Sequence, residues 1–363
     1  MNGIPKELLL SVGGALLCAF AVSFLMCPLV KSFAYKIGAI DVPKDNRRMH
    51  KKPVPRLGGL AIFLGFIVSM LLFVKVDHQL QGILLGASII VVLGVVDDMS
   101  PLRAYFKFCV QIFAALVAVF HGVVIQTLSN PNVFAESPYW DLGWLSIPVT
   151  IIWIVAITNA VNLIDGIDGL ASGLSMVALS VFGTLAVIDG RWMSALLAFA
   201  TVGVLLPFFF YNVFGNADRG RKIFMGDTGS LTLGYILSFL AVQYTMNTYE
   251  AGINYEGAML IAFSVLLVPC LDVVRVVLGR VRRGRDPFMP DKTHIHHKFL
   301  AMGFTPRRAM ISILCISLLL CLANMALVSY LDNTLLLLCD VVVWTVMNLY
   351  MDKVILRHNK SKI

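Results

Sequence analysis

A chain of 363 residues that is 58% hydrophobic and 14% charged, with a mean hydropathy of +0.84, is too apolar to be a soluble domain. Apolar runs of about 17–23 residues recur along it, each long enough to cross a hydrocarbon core of roughly 30 Å, so the expected fold class is all-α, polytopic and membrane-embedded. The formal charge of +8 does not imply nucleic acid, because its cations are gathered in two inter-helix loops.

Eleven spans are expected, near 8–30, 57–74, 81–96, 104–121, 146–161, 170–188, 192–211, 229–247, 257–275, 309–331 and 334–351. Residues 1–363 read as a single membrane-embedded domain without internal repeats or low-complexity tracts. The start, MNGIPKELLL, has neither a strongly basic segment nor a cleavage site, so 8–30 reads as a retained span. All seven cysteines fall in apolar runs, at spacings that suggest neither a disulfide framework nor a paired metal site.

Lysine and arginine concentrate in the loops at 31–56 and 276–308, whereas 122–145 has neither and carries Glu136 and Asp141, and 248–256 carries Glu250 and Glu256. Basic loops stay on the cytoplasmic side, so the N-terminus is expected outside and the C-terminal tail inside. The loops near 31–56, 97–103, 162–169, 212–228 and 276–308 then share the cytoplasmic face, and Trp140 and Trp144 read as interfacial anchors on the opposite one.

The polar islands lie on that cytoplasmic face. In the first loop, Pro53, Pro55, Arg56, Gly58 and Gly59 form a shaped ending in which Arg56 is a candidate phosphate contact, against the plainer reading of attraction to anionic lipid headgroups. Asp97 and Asp98 end the third span, where a helix dipole disfavours acids, and one of them is a candidate general base. Lys107 and Gln111 follow at i, i+4; the lysine either snorkels or faces a polyanion. The stretch 159–173, NAVNLIDGIDGLASG, spaces Asn162, Asp165 and Asp168 by three, which stacks their oxygens along one stripe of any helical turn. Such oxygen donors suit a hard cation such as Mg²⁺ held together with substrate phosphates, although helix caps use the same residues.

Asn212 closes PFFFYN, and IFMGDTGSL follows, with Asp227 between Gly226 and Gly229 just before a helix. Asp227 is either an N-cap or a metal ligand, and Phe224 offers a face for base stacking. In the last loop His294, His296 and His297 lack the partners of a zinc site, and neighbouring Arg285, Lys292 and Lys298 point to phosphate binding instead. Asp272 and Arg275 read as a structural i, i+3 ion pair, and Asp340 has no evident partner in the last span.

From PVPRLGG through DD, NAVNLIDGIDGLASG and FMGDTGS to HIHH, five ordered motifs make the chain resemble the polyprenyl-phosphate N-acetylhexosamine-1-phosphate transferase family along nearly its whole length. The resemblance implies a bacterial cytoplasmic-membrane enzyme that transfers a sugar 1-phosphate from a UDP-N-acetylhexosamine to undecaprenyl phosphate, releasing UMP with Mg²⁺ (or Mn²⁺) on the cytoplasmic face. It further implies Mg²⁺ ligation by Asp227 and Asn162, service to the lipid phosphate by Asp97 and Asp98, and neutralisation of pyrophosphate by Lys107. Asp168 and Phe224 would hold uridine, His294, His296 and His297 the donor phosphates, and Asp165 would belong to the same cluster. The longer stretch before Asp227, VFGNADRGRK, leaves the substrate role of Asn212 open, and analogy alone suggests a homodimer.

His-Ile-His-His after Pro-Asp-Lys is similar to the branch using UDP-GlcNAc for teichoic acid, O-antigen or common-antigen initiation, whereas the MurNAc-pentapeptide branch of peptidoglycan synthesis shows three consecutive histidines. A lipid or solute transporter is the alternative of another class, but its binding groups would lie near the midplane rather than at one face. A membrane scaffold explains none of the clustered Asp, Asn and His. Direct attack by the lipid phosphate is favoured over a covalent aspartyl intermediate, which the sequence leaves open.

Overall fold

The structure, a computed structural model, describes residues 5–42, 52–130, 139–250, 257–286 and 292–360. The basic residues between 43 and 51, together with Glu136, Glu256, Pro290, Asp291 and the side chain of Glu250, lie outside what it describes.

The described residues fold as helices α1 (Lys6–Ile37), α2 (Gly58–Phe73), α3 (His78–Met99), α4 (Ala104–Phe120), α5 (Ser146–Ile164), α6 (Leu170–Ile188), α7 (Trp192–Phe209), α8 (Gly226–Glu250), α9 (Ala258–Ser264), α10 (Leu267–Arg282), α11 (Ile295–Ala301), α12 (Pro306–Leu327) and α13 (Asn333–Lys360). Two small antiparallel ribbons join them: β1 (Ile40–Asp41) with β2 (Val54–Pro55), and β3 (Thr127–Ser129) with β4 (Tyr139–Asp141). Among the described residues seven helical segments are long and apolar enough to cross a membrane, and α9 with α10 adds an eighth if that bent pair is one crossing. The chain is a multi-pass helical membrane protein.

Helix α8 is the axis of the bundle. Its side chains are buried on every face from Thr228 to Tyr244, the pattern of a helix surrounded by others rather than by lipid. Small residues let the neighbours come close: a Cβ at Gly59 would overlap the backbone of Gly229, and one at Gly94 would overlap that of Thr228. Helices α2 and α3 are thereby pinned to the first turn of α8, where Asp227 stands.

One expectation needs correction. The span expected at 257–275 is broken, because α9 and α10 meet at an angle of 75°. Pro269 cannot donate a backbone hydrogen bond and its ring crowds the preceding turn, so a straight helix fails there. The span expected at 146–161 runs on to Ile164 as α5, so Asn162 is in its last turn, Asp165 is its C-cap, and Asp168 lies in the loop before α6. The stretch between α4 and α5 holds the β3–β4 ribbon, with Trp140 and Trp144 both exposed.

Asp340 has partners after all. Asn324 donates to its carboxylate at 2.7 Å and to the Ser264 hydroxyl at 2.8 Å, tying α13, α12 and α9 together inside the bundle.

Candidate active site

One cleft of about 470 Å³ opens where α3, α5 and the start of α8 end at the same level. Arg56, Asp98, Asn162, Asp165, Asp168 and Asp227 all line it, so four separate stretches of sequence converge there.

The two consecutive aspartates part company. Successive helical residues point about 100° apart, and Asp97 and Asp98 face different partners accordingly. Asp97 accepts from Lys107 at 2.8 Å and from the Leu102 amide at 2.7 Å. Asp98 accepts from the amides of Asp227 and Thr228, at 2.9 and 3.0 Å, and from the Thr228 hydroxyl at 2.6 Å. It is the cap of α8 supplied from another helix, satisfying amide donors that a helix N-terminus leaves open. Lys107 bridges the pair's two sides, since its ammonium also lies 2.9 Å from Asp227.

Asn162 donates its amide to Asp227 at 3.2 Å and to Ser230 at 2.9 Å, leaving its carbonyl oxygen out of both bonds. Asp165 stands beside it with no cationic partner within ion-pair distance among the described residues. Burial, and then the negative charges of Asp227, Asp168 and Asp98, push its carboxyl up to about 7. Asp168 is ion-paired with Lys222, whose ammonium also lies 5.6 Å from the centre of the Phe224 ring. Arg56 sits at the rim, 3.9 Å from Asp41.

Asn212 lines the cleft yet spends its side chain on the backbone, accepting from the Gly169 amide at 2.7 Å and donating to the Ile223 carbonyl at 2.9 Å. It staples the loop after α5 to the strand of chain leading into Asp227, which gives it a positioning role at the wall of the cleft. Gly169, at φ +78°, supplies the left-handed turn that opens α6.

The histidine loop docks onto the same place. His296 packs over Gly166, where a Cβ would collide with its ring. It is buried and, by burial and its neighbours His297 and His294, depressed to about 3, so it is a neutral ring. His294 donates or accepts through Nδ1 at 2.8 Å from Asp272, a carboxylate with no exposed surface. The expected Asp272–Arg275 pair is present at 2.7 Å and does more than expected, since Asp272 also accepts from the Ile295 amide at 3.0 Å while Arg275 bonds the Thr293 carbonyl at 2.6 Å. His297 stands 4.1 Å from His296, ring centre to ring centre. Lys298, expected beside donor phosphate, is committed to Asp352 of α13 at 2.8 Å.

Across the cleft and the adjoining Lys107 site, the carboxylates of Asp41, Asp97, Asp98, Asp165, Asp168 and Asp227 outnumber Arg56, Lys107 and Lys222 by six to three. Such a surplus is costly unless a proton or a cation balances it. Among the described residues no three His, Cys, Asp or Glu side chains form a ready cage for a metal. A divalent cation held by one or two protein oxygens and completed by substrate phosphates is the habit of Mg²⁺, and the donor set here fits it.

A family model described as glycosyl transferase family 4 matches residues 80–245, which carry the DD, NLIDGIDG and FMGDTGS stretches. The chain is 38% identical over 316 residues to a probable undecaprenyl-phosphate N-acetylglucosaminyl 1-phosphate transferase of Bacillus subtilis, covering 86% of this chain and 84% of that one. The chain belongs to glycosyl transferase family 4. Other members are an undecaprenyl-phosphate alpha-N-acetylglucosaminyl 1-phosphate transferase of Escherichia coli, 30% identical over 84% of this chain and 81% of its own, and a decaprenyl-phosphate N-acetylglucosaminephosphotransferase of Mycolicibacterium smegmatis, 33% identical over 86% and 80%. In this family 4 chain the pairing of Lys222 with Asp168, 54 residues apart in sequence, is the feature that sequence reasoning missed. A lysine two residues before the aromatic of IFMGD was its only signal.

Proposed function

We propose that the protein transfers GlcNAc 1-phosphate from UDP-GlcNAc to undecaprenyl phosphate and releases UMP, as the first membrane step of a cell-envelope glycan. The activities for which its relatives are named, and the meeting of Asn162 and Lys107 at Asp227 in the cleft, support this reading. On the same reading there are eleven crossings, with α2, α4 and α8 added to the apolar helices and α9–α10 counted as one. The basic loops argue for a cleft on the cytoplasmic side and an N-terminus outside.

Two anions must meet, so charge neutralisation and alignment matter more than a strong base. Asp227 and the Asn162 carbonyl would hold Mg²⁺, which supplies positive charge to the phosphoryl oxygens when bound. Lys107, held between Asp97 and Asp227, presents its ammonium to the pyrophosphate. A lipid phosphate oxygen forms the new bond to the β-phosphorus, the bond from that phosphorus to the bridging oxygen breaks, and UMP leaves with the electron pair. Asp98, with its oxygens committed to α8, orients Asp227 rather than taking a proton. The neutral His296, packed against Gly166 of the cleft wall, and the Asp272-held His294 stacked beside it would serve as hydrogen-bonding groups for donor phosphate.

The test is UMP release by detergent-purified protein given undecaprenyl phosphate with UDP-GlcNAc, UDP-GalNAc or UDP-MurNAc-pentapeptide in parallel. Release from UDP-GlcNAc, abolished by EDTA, restored by Mg²⁺ or Mn²⁺ and lost in Asp227→Asn, is expected. Release from the pentapeptide donor alone would overturn the donor assignment, and EDTA-resistant turnover would overturn the metal.

A further inference from the structure

Lys222 ends a loop that is held from several sides. The carbonyls of Asp218 and Gly220 accept from Lys52 at 2.8 Å and Lys31 at 2.6 Å, and the Asn216 side chain accepts from the amides of Asp218 and Arg219. The backbone beneath Lys222 is thus fixed, while its four-carbon stem remains long enough to swing. Its ammonium covers two groups at once, the Asp168 carboxylate and the face of Phe224, and only 16% of its side chain is exposed.

Those two groups are the ones read as the uridine pocket. A base cannot stack on the Phe224 face while the ammonium lies over it, so uridine binding has to dislodge Lys222 from both partners. The imide N–H of uracil can replace the ammonium as donor to Asp168. A diphosphate entering the cleft carries more charge than one carboxylate and draws a mobile point charge more strongly.

We infer that Lys222 is a donor-binding residue that passes from Asp168 to the donor phosphates as the nucleotide enters. It closes the uridine pocket when the donor is absent and grips the diphosphate when it is present. This rests on the proposed function and on the uridine-holding role of Asp168 and Phe224 that the family resemblance implies.

Calorimetric binding of UMP, uridine and adenosine to detergent-purified protein with Mg²⁺ separates the possibilities. In Lys222→Gln, UMP affinity should fall about tenfold, the loss of one charge-assisted hydrogen bond, while uridine binds equally well or more tightly because nothing must be displaced. The salt dependence of UMP binding should flatten, and Lys222→Arg should recover part of the affinity. Equal weakening of UMP and uridine would reduce Lys222 to a structural residue, and unchanged UMP affinity would overturn the inference outright. A wild-type protein that binds uridine no better than adenosine would instead overturn the pocket assignment on which it stands. Ligand-free melting of the variant near that of wild type, expected for a side chain on a separately anchored loop, guards the comparison.

Discussion

Asp165 carries the charge problem of the cleft in one side chain. Its carboxyl is pushed up to about 7 by burial first and by three neighbouring aspartates second, whereas an unfolded chain ionises it near 4. Stability contributed by the protonated form is therefore complete below about 4 and lost as pH rises toward about 7. In cation-free protein the melting temperature of wild type relative to Asp165→Asn should therefore be higher at pH 5 than at pH 7.5. His296, depressed to about 3, acts in the opposite sense, withdrawing stability as pH falls below about 6.5, so the comparison of wild type with Asp165→Asn at each pH isolates the carboxylate. A melting profile that is identical in the two proteins would remove Asp165 from the buried cluster. Its neighbour Asp98 makes a different prediction. Asp98→Ala strips three hydrogen bonds from the start of α8 and should cost about 1–2 kcal/mol as well as activity, with Asp98→Asn intermediate, read from denaturation in mild detergent. The adjacency of Asp97 and Asp98 was legible as chemistry in the sequence. Their division of labour was not, because it depends on which way each points across to α4 and α8.

At the scale of elements, hydropathy carried far. The spans expected at 104–121 and 170–188 fall within a residue of α4 and α6, because long apolar runs leave little freedom in a bilayer. The 75° break before α10 was signalled only by Pro269, and a proline within an apolar run does not announce the size of a bend. Contacts between distant helices were the least legible: Lys298 with Asp352, Asn324 with Asp340 and Lys222 with Asp168 are tertiary pairs with no local period. The glycines of LGG were read as loop shaping, and the structure makes Gly59 a contact surface. Adding a methyl there forces α2 off the backbone of α8 at the turn that carries Asp227, so Gly59→Ala should lower stability by about 1–3 kcal/mol and depress turnover. Gly279→Ala is the control, since a Cβ there meets only the tip of Arg283 at 3.7 Å and should leave both unchanged. Equal behaviour of the two variants would mean that α2 can slide without moving Asp227.

The whole molecule concentrates its chemistry at one end of a bundle whose flanks are apolar. The end of α3, the end of α5, the start of α8 and the docked α11 all meet at the cleft, while the β3–β4 ribbon with exposed Trp140 and Trp144 belongs to the connection between α4 and α5, a stretch free of lysine and arginine. Helix α13, with 28 residues, is about 42 Å long and overshoots a core of roughly 30 Å, which lets its last turns reach Lys298 beside the histidines. A water-soluble nucleotide and a membrane-bound lipid phosphate can share a site only at such a boundary, and the proposed function, with its basic loops, requires that boundary to face the cytoplasm. Single cysteines test the assignment on intact cells with a membrane-impermeant maleimide. Trp144→Cys should label directly and Ala217→Cys, on the loop that anchors Lys222, only after permeabilisation. The reverse order would turn the protein over in the membrane, put the cleft outside the compartment that holds nucleotide sugars, and break the proposed reaction at its first requirement.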